Sequence, residues 1–234
     1  MPIRVAFDLD GTVADMLSVL QHEAEKLFGK LPARPITVEV SPGGSDTPMV
    51  IPEAELPATH LTLDSHQRTR LWRHVQTIPN FWINLPETEA GIVQRIASLT
   101  EERRWEVIFL TTRPAVRGLT TQVQSQQWLE AHGFRWPSVY VVERSRGRIA
   151  DALQLDAVVD DRSENCLDVA LESKAAAIWV ERSGAKNPLP AAKRLGIRVV
   201  PTTTAAVAML QKIDDATQGS GVMRSIKRLF GDGE

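Results

Sequence analysis

Short apolar runs recur along the chain, and each is followed by polar residues and then by a segment with helical periodicity. The first run, residues 3–7, is rich in β-branched side chains and predicts a buried parallel strand. Later runs predict further strands, at residues 106–110, 138–142, 157–159, 176–180 and 198–200. Strands that alternate with helices indicate a parallel sheet joined by right-handed crossovers. The predicted fold class is therefore α/β, with a Rossmann-like parallel sheet.

A different pattern interrupts this alternation after the first strand. Residues 15–29 carry apolar side chains at steps of three and four, which predicts an amphipathic helix, and a second helix is predicted to start near Ser65 and end before Pro79. Six prolines and a Gly43-Gly44 pair between the two helices predict mostly loop. We expect residues 15–85 to form a small, mainly helical insertion.

The remaining segments complete the predicted core, which comprises residues 1–14 and 86–214. Pro86, followed by early acidic residues, predicts the start of a helix. The last core helix is predicted over residues 204–213. Beyond it, the glycines of residues 215–234 predict a flexible C-terminal tail.

Composition and charge narrow the class of protein. The chain has 234 residues, a net charge of −2 and one cysteine, Cys166. The charge gives no electrostatic reason to expect binding to a nucleic acid polymer or a membrane. A single cysteine cannot form an internal disulfide, and an apolar strand near the N-terminus leaves no room for a signal peptide. We expect a cytoplasmic protein, monomeric or homodimeric.

Polar residues of particular kinds follow three of the predicted strands. Asp8 and Asp10 end the first, Thr111 and Thr112 the second, and Asp160 and Asp161 a third. Two carboxylates side by side repel each other unless a cation compensates them, and a hard divalent cation takes oxygen ligands. An acidic surface turn is the alternative for one such pair. Partners downstream favour a site beyond the carboxyl ends of the strands.

The order of these residues resembles the haloacid dehalogenase superfamily. Asp8-Leu-Asp10-Gly11-Thr12-Val13 is similar to the first signature of its phosphatases. A strand that ends in Thr111-Thr112 resembles the second motif, and a strand that ends in Asp160-Asp161 resembles the fourth. The resemblance implies a Rossmann-like core with a cap, represented here by residues 15–85.

The resemblance also implies a mechanism and a set of roles. Asp8 is expected to attack phosphorus and form an aspartyl-phosphate, while Asp10 protonates the leaving oxygen and later activates water. Mg²⁺ is expected to bind Asp8, the backbone carbonyl of Asp10 and Asp161. Asp160 is expected to support these ligands without binding the ion directly. The choice of Asp161 over Asp160 as the direct ligand rests on the family pattern. Thr111 is expected to hold phosphoryl oxygens, a role that Thr112 can share.

One feature departs from the family pattern. A lysine is normal at the start of the helix before the acidic pair, but this segment contains only arginines. Arg146 aligns best with the lysine, and Arg148 is the second candidate. Arginine keeps the charge and can donate two N–H groups to a phosphate, although its planar fork differs from a point charge. Arg113, before a proline, either orients the acidic loop or belongs to a turn.

The prediction of the substrate rests on one short segment of the chain. Residues 78–86 resemble a segment of the 5′(3′)-deoxyribonucleotidase branch, in which aromatic residues lie near the base. Phe81 and Trp82 can stack on a base or anchor the cap to the core. The predicted activity is hydrolysis of a small-molecule phosphate ester, such as a nucleoside monophosphate. The alternatives are a sugar-phosphate phosphatase and a catalytically weak binding or regulatory protein.

Overall fold

The structure, a computed structural model, describes residues 2–30, 61–182 and 190–230, with residues 190–191 and 217–230 described by backbone only. Within these ranges the strands are β1 (Arg4–Asp8), β2 (Glu106–Thr111), β3 (Ser138–Val141), β4 (Ala157–Asp160), β5 (Ala176–Val180) and β6 (Arg198–Val200). The helices are α1 (Met16–Phe28), α2 (Ser65–Thr77), α3 (Ile92–Arg103), α4 (Thr121–Ala131), α5 (Arg146–Ala152), α6 (Ser163–Glu172), α7 (Pro190–Arg194) and α8 (Thr203–Phe230). A 3-10 helix, Phe81–Asn84, lies between α2 and α3.

The described strands form one parallel sheet in the order β3-β2-β1-β4-β5-β6. In the two ladders that flank β1, Phe7 is paired with Phe109 of β2 and with Val159 of β4. This register brings the last residues of three adjacent strands, Asp8, Thr111 and Asp160, to the same edge of the sheet. The predicted α/β class with a Rossmann-like sheet is confirmed.

Apolar side chains cover both faces of the sheet. Val5 and Phe7 of β1 belong to a large core that includes residues of α1, α3 and α8, whereas Ala6 belongs to a second core with residues of α5 and α6. Successive side chains of a strand point to opposite faces, so a run that is apolar throughout is buried on both sides. The apolar run 3–7 is therefore the central strand of a three-layer domain.

The described part of the predicted insertion consists of α1, α2 and the 3-10 helix. The helices α1 and α2 contact each other, and Oε2 of Glu23 on α1 lies 2.9 Å from Nε2 of His74 on α2. The helix start near Ser65 is confirmed. The predicted proline-rich loop lies mostly outside the described residues. The division into core and cap stays a prediction.

The helix predicted to start at Pro86 begins instead at Ile92. The intervening residues bind the loop that follows β1: the N–H of Asp15 donates to the carbonyl of Pro86 at 2.8 Å, and the N–H of Thr88 donates to Val13 at 2.9 Å. The Glu87 carboxylate then accepts from the N–H groups of Gly91 and Val93. These backbone groups are engaged with the loop after β1, so the helix starts six residues later than predicted.

The last core helix, predicted over residues 204–213, extends further along the chain, and the flexibility predicted from Asp215 stays a prediction. The backbone of residues 215–230 continues α8 without a break. Glycines in this stretch suggested an end, but a glycine inside a helix costs only about 1 kcal/mol relative to alanine. Among the described residues, no helix is both long enough and apolar enough to cross a lipid bilayer.

Candidate functional site

The loop after β1 is a tight turn closed by its own backbone. The N–H of Gly11 donates to the carbonyl of Ala14 at 2.8 Å, and the N–H of Ala14 donates to Leu9 at 2.7 Å. Gly11 has a φ of +84°, and a Cβ built on it would lie 2.0 Å from Oδ2 of Asp161. A side chain at residue 11 would therefore be strained and would also displace Asp161. The glycine lets the loop after β4 meet the loop after β1.

Three carboxylates lie together at this edge of the sheet. Asp8, Asp160 and Asp161 each place one oxygen within 4.8 Å of the others. Burial, followed by repulsion from Asp160, raises the pKa of Asp8 well above its ordinary value, although Arg146 opposes the shift. Burial and then repulsion from Asp160 also raise the pKa of Asp161 well above its ordinary value. The cluster is electrostatically unfavourable by itself, which is the condition that a cation relieves.

The two acidic neighbours differ in what surrounds their oxygens. Oδ1 of Asp160 accepts from the N–H of Arg162 at 2.9 Å, and the Asn165 side chain donates to both of its oxygens, at 3.1 and 2.9 Å. Oδ1 of Asp161 is buried and has no hydrogen-bond partner among the described residues. Buried polar atoms are rarely left unpaired. Asp161 therefore offers a free ligand oxygen, whereas hydrogen bonds from Arg162 and Asn165 fix the Asp160 carboxylate.

This donor set fits a hard divalent cation. The cluster offers carboxylate oxygens, one of them without a partner, and carboxylate oxygens are the ligands that such cations take. The Asp10 carboxylate is not one of the three in this cluster, and both of its oxygens accept from Arg113. The expected contribution of Asp10 through its backbone carbonyl stays a prediction.

Arg146 provides the cation next to the acidic cluster. Its side chain is 2% exposed, its Nη2 donates to Oδ1 of Asp8 at 2.8 Å, and its Nε lies 3.8 Å from Oδ2 of Asp160. Its Nη1 is buried without a hydrogen-bond partner in the described part of the chain. Ser145 starts α5 by accepting from the N–H of Arg148, and Asp168 of α6 accepts from Ser145 and Gly147. These bonds fix the end of α5 that directs Arg146 inward.

Arg148, the second candidate for the lysine position, lies outside the site. Its side chain is 79% exposed and its Nε is 3.3 Å from Oε2 of Glu172 on α6. Its expected role in substrate binding has no support from this placement. Residues two apart on a helix point in different directions, so Arg146 and Arg148 cannot both face the acids.

The two threonines after β2 have different surroundings. Thr111 is buried, and its hydroxyl donates to Oδ2 of Asp10 at 3.3 Å. Thr112 is exposed and lines a small cavity together with Asp8 and Asp10. Thr111 is therefore next to Asp10, and Thr112 is at the opening of the cavity.

Arg113 is more deeply involved than its sequence context predicts. It is 3% exposed, and its Nε and Nη2 donate to the Asp10 carboxylate at distances of 2.7 to 3.0 Å. Of the two readings of this residue, the structure favours the one in which it orients the acidic loop. Its position between the strand-end threonines and a proline was the available signal, but burial of an arginine cannot be read from one sequence.

Phe81 and Trp82 are buried in the 3-10 helix. Trp82 is fully buried, its Nε1 donates to the carbonyl of Pro114 at 3.1 Å, and its N–H donates to Oε1 of Gln124, also at 3.1 Å. The two rings meet edge to face with centroids 4.9 Å apart. This is the anchoring arrangement, the alternative to stacking on a base. Trp82 still lines the cavity that contains Asp8 and Asp10.

A second arginine, Arg182, was not predicted as part of the site. Its Nε donates to the carbonyl of Gly11 at 3.0 Å, its Nη2 to the carbonyl of Thr12 at 2.9 Å, and its Nη1 to Oε1 of Glu89 at 2.8 Å. It follows the carboxyl end of β5, two residues beyond the strand. The polar residues at that strand end were the signal that sequence reasoning passed over. Arg182 supports the loop after β1 from outside the cavity.

No protein-family model matches the chain, and no curated protein matches it in sequence. Among solved structures, the fold is similar to that of a Thermotoga maritima protein assigned as a beta-phosphoglucomutase, with a TM-score of 0.50 and 16% identity over 90% of this chain and 99% of that one. A hydrolase from Pseudomonas syringae matches with a TM-score of 0.48 and 15% identity over 91% of this chain and 99% of that one.

At 16% identity the likeness to the first structure concerns the fold alone. It agrees with the parallel α/β architecture of the described residues. Activity and substrate have to be argued from the residues of the site.

Proposed function

We propose that this protein is a Mg²⁺-dependent phosphomonoester hydrolase that forms an aspartyl-phosphate on Asp8 and acts on a small-molecule substrate. The observation that carries the proposal is the contact between Asp8 and the buried Arg146, at 2.8 Å, beside the unpartnered Oδ1 of Asp161. A nucleophile, an anion-binding cation and a free ligand oxygen are the parts that phosphoryl transfer to a carboxylate requires.

Asp8 is the proposed nucleophile. One of its carboxylate oxygens attacks phosphorus, the bond between phosphorus and the bridging oxygen breaks, and an acyl phosphate forms on the side chain. Water then attacks this phosphorus, which releases inorganic phosphate and restores the carboxylate. The attack requires the ionised form, which burial disfavours and which Arg146 favours.

Asp10 is the proposed acid and base. In the first step its proton goes to the bridging oxygen as the leaving alcohol departs, and in the second step its carboxylate takes a proton from the attacking water. It lines the same cavity as Asp8, and Arg113 and Thr111 hold its two oxygens. The proton donor therefore has a fixed position next to the nucleophile.

Arg146, Thr111 and Thr112 are the proposed groups that hold the phosphoryl oxygens. Nη1 of Arg146 is a buried donor with no partner in the described part of the chain, and an incoming anion would satisfy it. Thr112 lines the cavity, and Thr111 lies next to it at the strand end. Arg148 is left out of the proposed set because its side chain is exposed and faces Glu172.

Asp8, Asp161 and the backbone carbonyl of Asp10 are the proposed Mg²⁺ ligands, with Asp160 holding the loop behind them. When bound, the ion supplies charge neutralisation for the phosphoryl group. The protein's own part is to keep Oδ1 of Asp161 free, to hold Asp160 through Arg162 and Asn165, and to leave residue 11 without a side chain.

The substrate class is proposed as a small phosphate ester, with nucleoside monophosphates and sugar phosphates as the two groups to separate. The proposal of a nucleotide rests on the resemblance of residues 78–86 to the deoxyribonucleotidase segment. The positions of Phe81 and Trp82 give it no further support, because both side chains are almost completely buried.

The test is phosphate release from a panel of nucleoside monophosphates and sugar phosphates, with Mg²⁺ and with EDTA, for the wild type and Asp8→Asn. We expect release that requires the metal and is lost in Asp8→Asn. The preferred substrate then identifies the branch. If a folded wild type releases phosphate from no substrate with any divalent metal, the hydrolase proposal is wrong and the alternative of a binding or regulatory protein with arginine in the lysine position takes its place.

A further inference from the structure

Arg113 and Asp10 form an ion pair in which two nitrogens of the guanidinium contact both oxygens of the carboxylate. Nε of Arg113 is 3.0 Å from Oδ1 and 2.8 Å from Oδ2 of Asp10, and its Nη2 is 2.7 Å from Oδ1. Its Nη1 donates to Oγ of Ser125 at 2.9 Å. A fork of this kind fixes the plane of a carboxylate as well as its position, which a single point charge cannot do.

Two tryptophans fix the guanidinium in turn. Its Cζ lies 5.0 Å from the ring centre of Trp82 and 5.9 Å from that of Trp128. Trp82 is attached to the loop after β2 through its bond to Pro114, and Nε1 of Trp128 donates to the carbonyl of Leu85 at 2.7 Å. The 3-10 helix Phe81–Asn84, at the end of the predicted cap, is therefore connected through Trp82 and Arg113 to Asp10.

We infer that Arg113 is a positioning residue for Asp10 and that Trp82 acts on the same proton transfer through Arg113, an inference that rests on the proposed function. Trp82 then affects catalysis for every phosphate ester whose leaving oxygen needs a proton, with or without a base in the leaving group, and does not read a base. Neither residue needs to touch the substrate. In the reaction, the proton that Asp10 gives to the bridging oxygen is delivered along a direction that the Arg113 fork sets.

The first experiment compares two leaving groups in Arg113→Lys, which keeps the charge and loses the fork. For an alkyl phosphate, whose leaving oxygen needs a proton, kcat/KM should fall about 10- to 100-fold, because misplacing a catalytic group by about 1 Å costs roughly that much. For p-nitrophenyl phosphate, which leaves as a stable anion, the loss should be less than about threefold. KM should change little for the alkyl phosphate, whose first step limits the rate. Equal losses for the two esters would overturn the inference.

A double-mutant cycle tests whether Arg113 acts through Asp10. Introduced into Asp10→Asn, Arg113→Lys should reduce kcat/KM for the alkyl phosphate by less than about threefold, because the group that it positions has lost its proton. Arg103→Lys is the matched control, since Arg103 also binds two carboxylates, those of Asp214 and Asp215. It should leave kcat/KM unchanged in both backgrounds. A further loss from Arg113→Lys as large in Asp10→Asn as in the wild type would contradict the inference.

Trp82→Leu separates the positioning role from base stacking. Positioning predicts a fall in kcat of about tenfold with an unchanged KM, for a nucleoside monophosphate and for a simple alkyl phosphate alike. Base stacking predicts a higher KM for the nucleotide only, and that result would remove Trp82 from the inference. Trp72→Leu is the control, because Trp72 packs against Trp82 with ring centroids 6.5 Å apart, whereas the rings beside the Arg113 guanidinium are those of Trp82 and Trp128.

A crystal structure of Arg113→Lys tests the positioning of Asp10 separately from the proposed function. If the wild type releases no phosphate, the hydrolase proposal fails, but the position of Asp10 can still be compared. We expect the Asp10 carboxylate to rotate or to occupy more than one conformer in the variant, and to bind Arg113 in a wild-type crystal. An Asp10 that keeps its place without the fork would show that Arg113 does not position it.

Discussion

Nη2 of Arg146 donates to Oδ1 of Asp8 at 2.8 Å, so the residue in the lysine position contacts the proposed nucleophile directly. Both side chains are almost completely buried. Removing one partner of a buried ion pair leaves an uncompensated charge, which costs about 3–5 kcal/mol. The pair is therefore expected to matter for stability as well as for the chemistry of the site.

Substitutions at Arg146 should separate charge from geometry. Arg146→Met should lower kcat by at least about 100-fold and lower the melting temperature, because the three acids then lose their protein cation. Arg146→Lys should keep kcat within about tenfold of the wild type, since a point charge can still reach Asp8. Phosphate release and thermal unfolding measure both effects. Arg148→Met, two residues along the same helix, is the control and should change neither; a loss there would contradict the placement of Arg148 outside the site.

Gly11→Ala should abolish metal binding and destabilise the fold. The added Cβ would meet Oδ2 of Asp161 at 2.0 Å in a backbone conformation with φ +84°. Gly29→Ala isolates the backbone effect, because Gly29 has φ +82° and nothing within 4 Å of an added Cβ. The control should lose about 1–2 kcal/mol of unfolding free energy and keep its Mg²⁺ affinity. Calorimetric Mg²⁺ titration and urea unfolding distinguish the two; equal behaviour of both variants would show that the contact with Asp161 is unimportant.

Asp161→Asn should weaken Mg²⁺ binding and stabilise the metal-free protein. The substitution removes a ligand charge, so affinity should fall at least about tenfold. It also removes a carboxylate that burial and Asp160 make unfavourable, so the melting temperature in EDTA should rise by a few degrees, roughly the effect of 1 kcal/mol. Asp64→Asn, a change at the exposed cap of α2 that keeps a capping side chain, should alter neither value. Unchanged Mg²⁺ affinity in Asp161→Asn would place the ion elsewhere.

The strands could be predicted from the sequence because buried parallel strands are continuous apolar runs. The acids and threonines of the candidate site could be predicted with them, because they follow directly after these runs. The predicted bounds of the strand at 176–180 are those of β5, and the strand that ends at Asp8 has Thr111 and Asp160 at the ends of its two neighbours. A polar residue directly after such a run lies at the carboxyl end of its strand, where ligands bind in open α/β sheets.

Alignment placed Arg146 before Arg148, but the sequence does not show which of the two faces the acids, because that depends on the residue at which α5 begins. With Ser145 as the cap, Arg146 is the first helical residue and faces the acids. A start shifted by two residues would have exchanged the two arginines. The roles of Arg113 and Trp82 could not be predicted from the sequence either. Their partners, Asp10 and Gln124, are distant in sequence, and hydrophobic periodicity does not predict such contacts.

Glu89 provides a prediction on acid stability. Burial alone would raise its pKa, but hydrogen bonds from Thr204, Thr203 and Arg182 outweigh burial and lower the pKa from 4.5 to about 2. Because the folded pKa is the lower one, the bonds stabilise the protein above pH 4.5, and this contribution is lost as the pH falls from 4.5 towards 2.

Glu89→Gln should therefore lower the free energy of unfolding by about 1–3 kcal/mol at pH 7, and the difference from the wild type should shrink steadily below pH 4.5. Urea unfolding at pH 7, 4 and 3 measures it, with Glu101→Gln, an exposed acid of α3, as the control. A Glu89→Gln deficit that stays constant between pH 7 and pH 3 would mean that its charge contributes nothing to the network that holds the loop after β1.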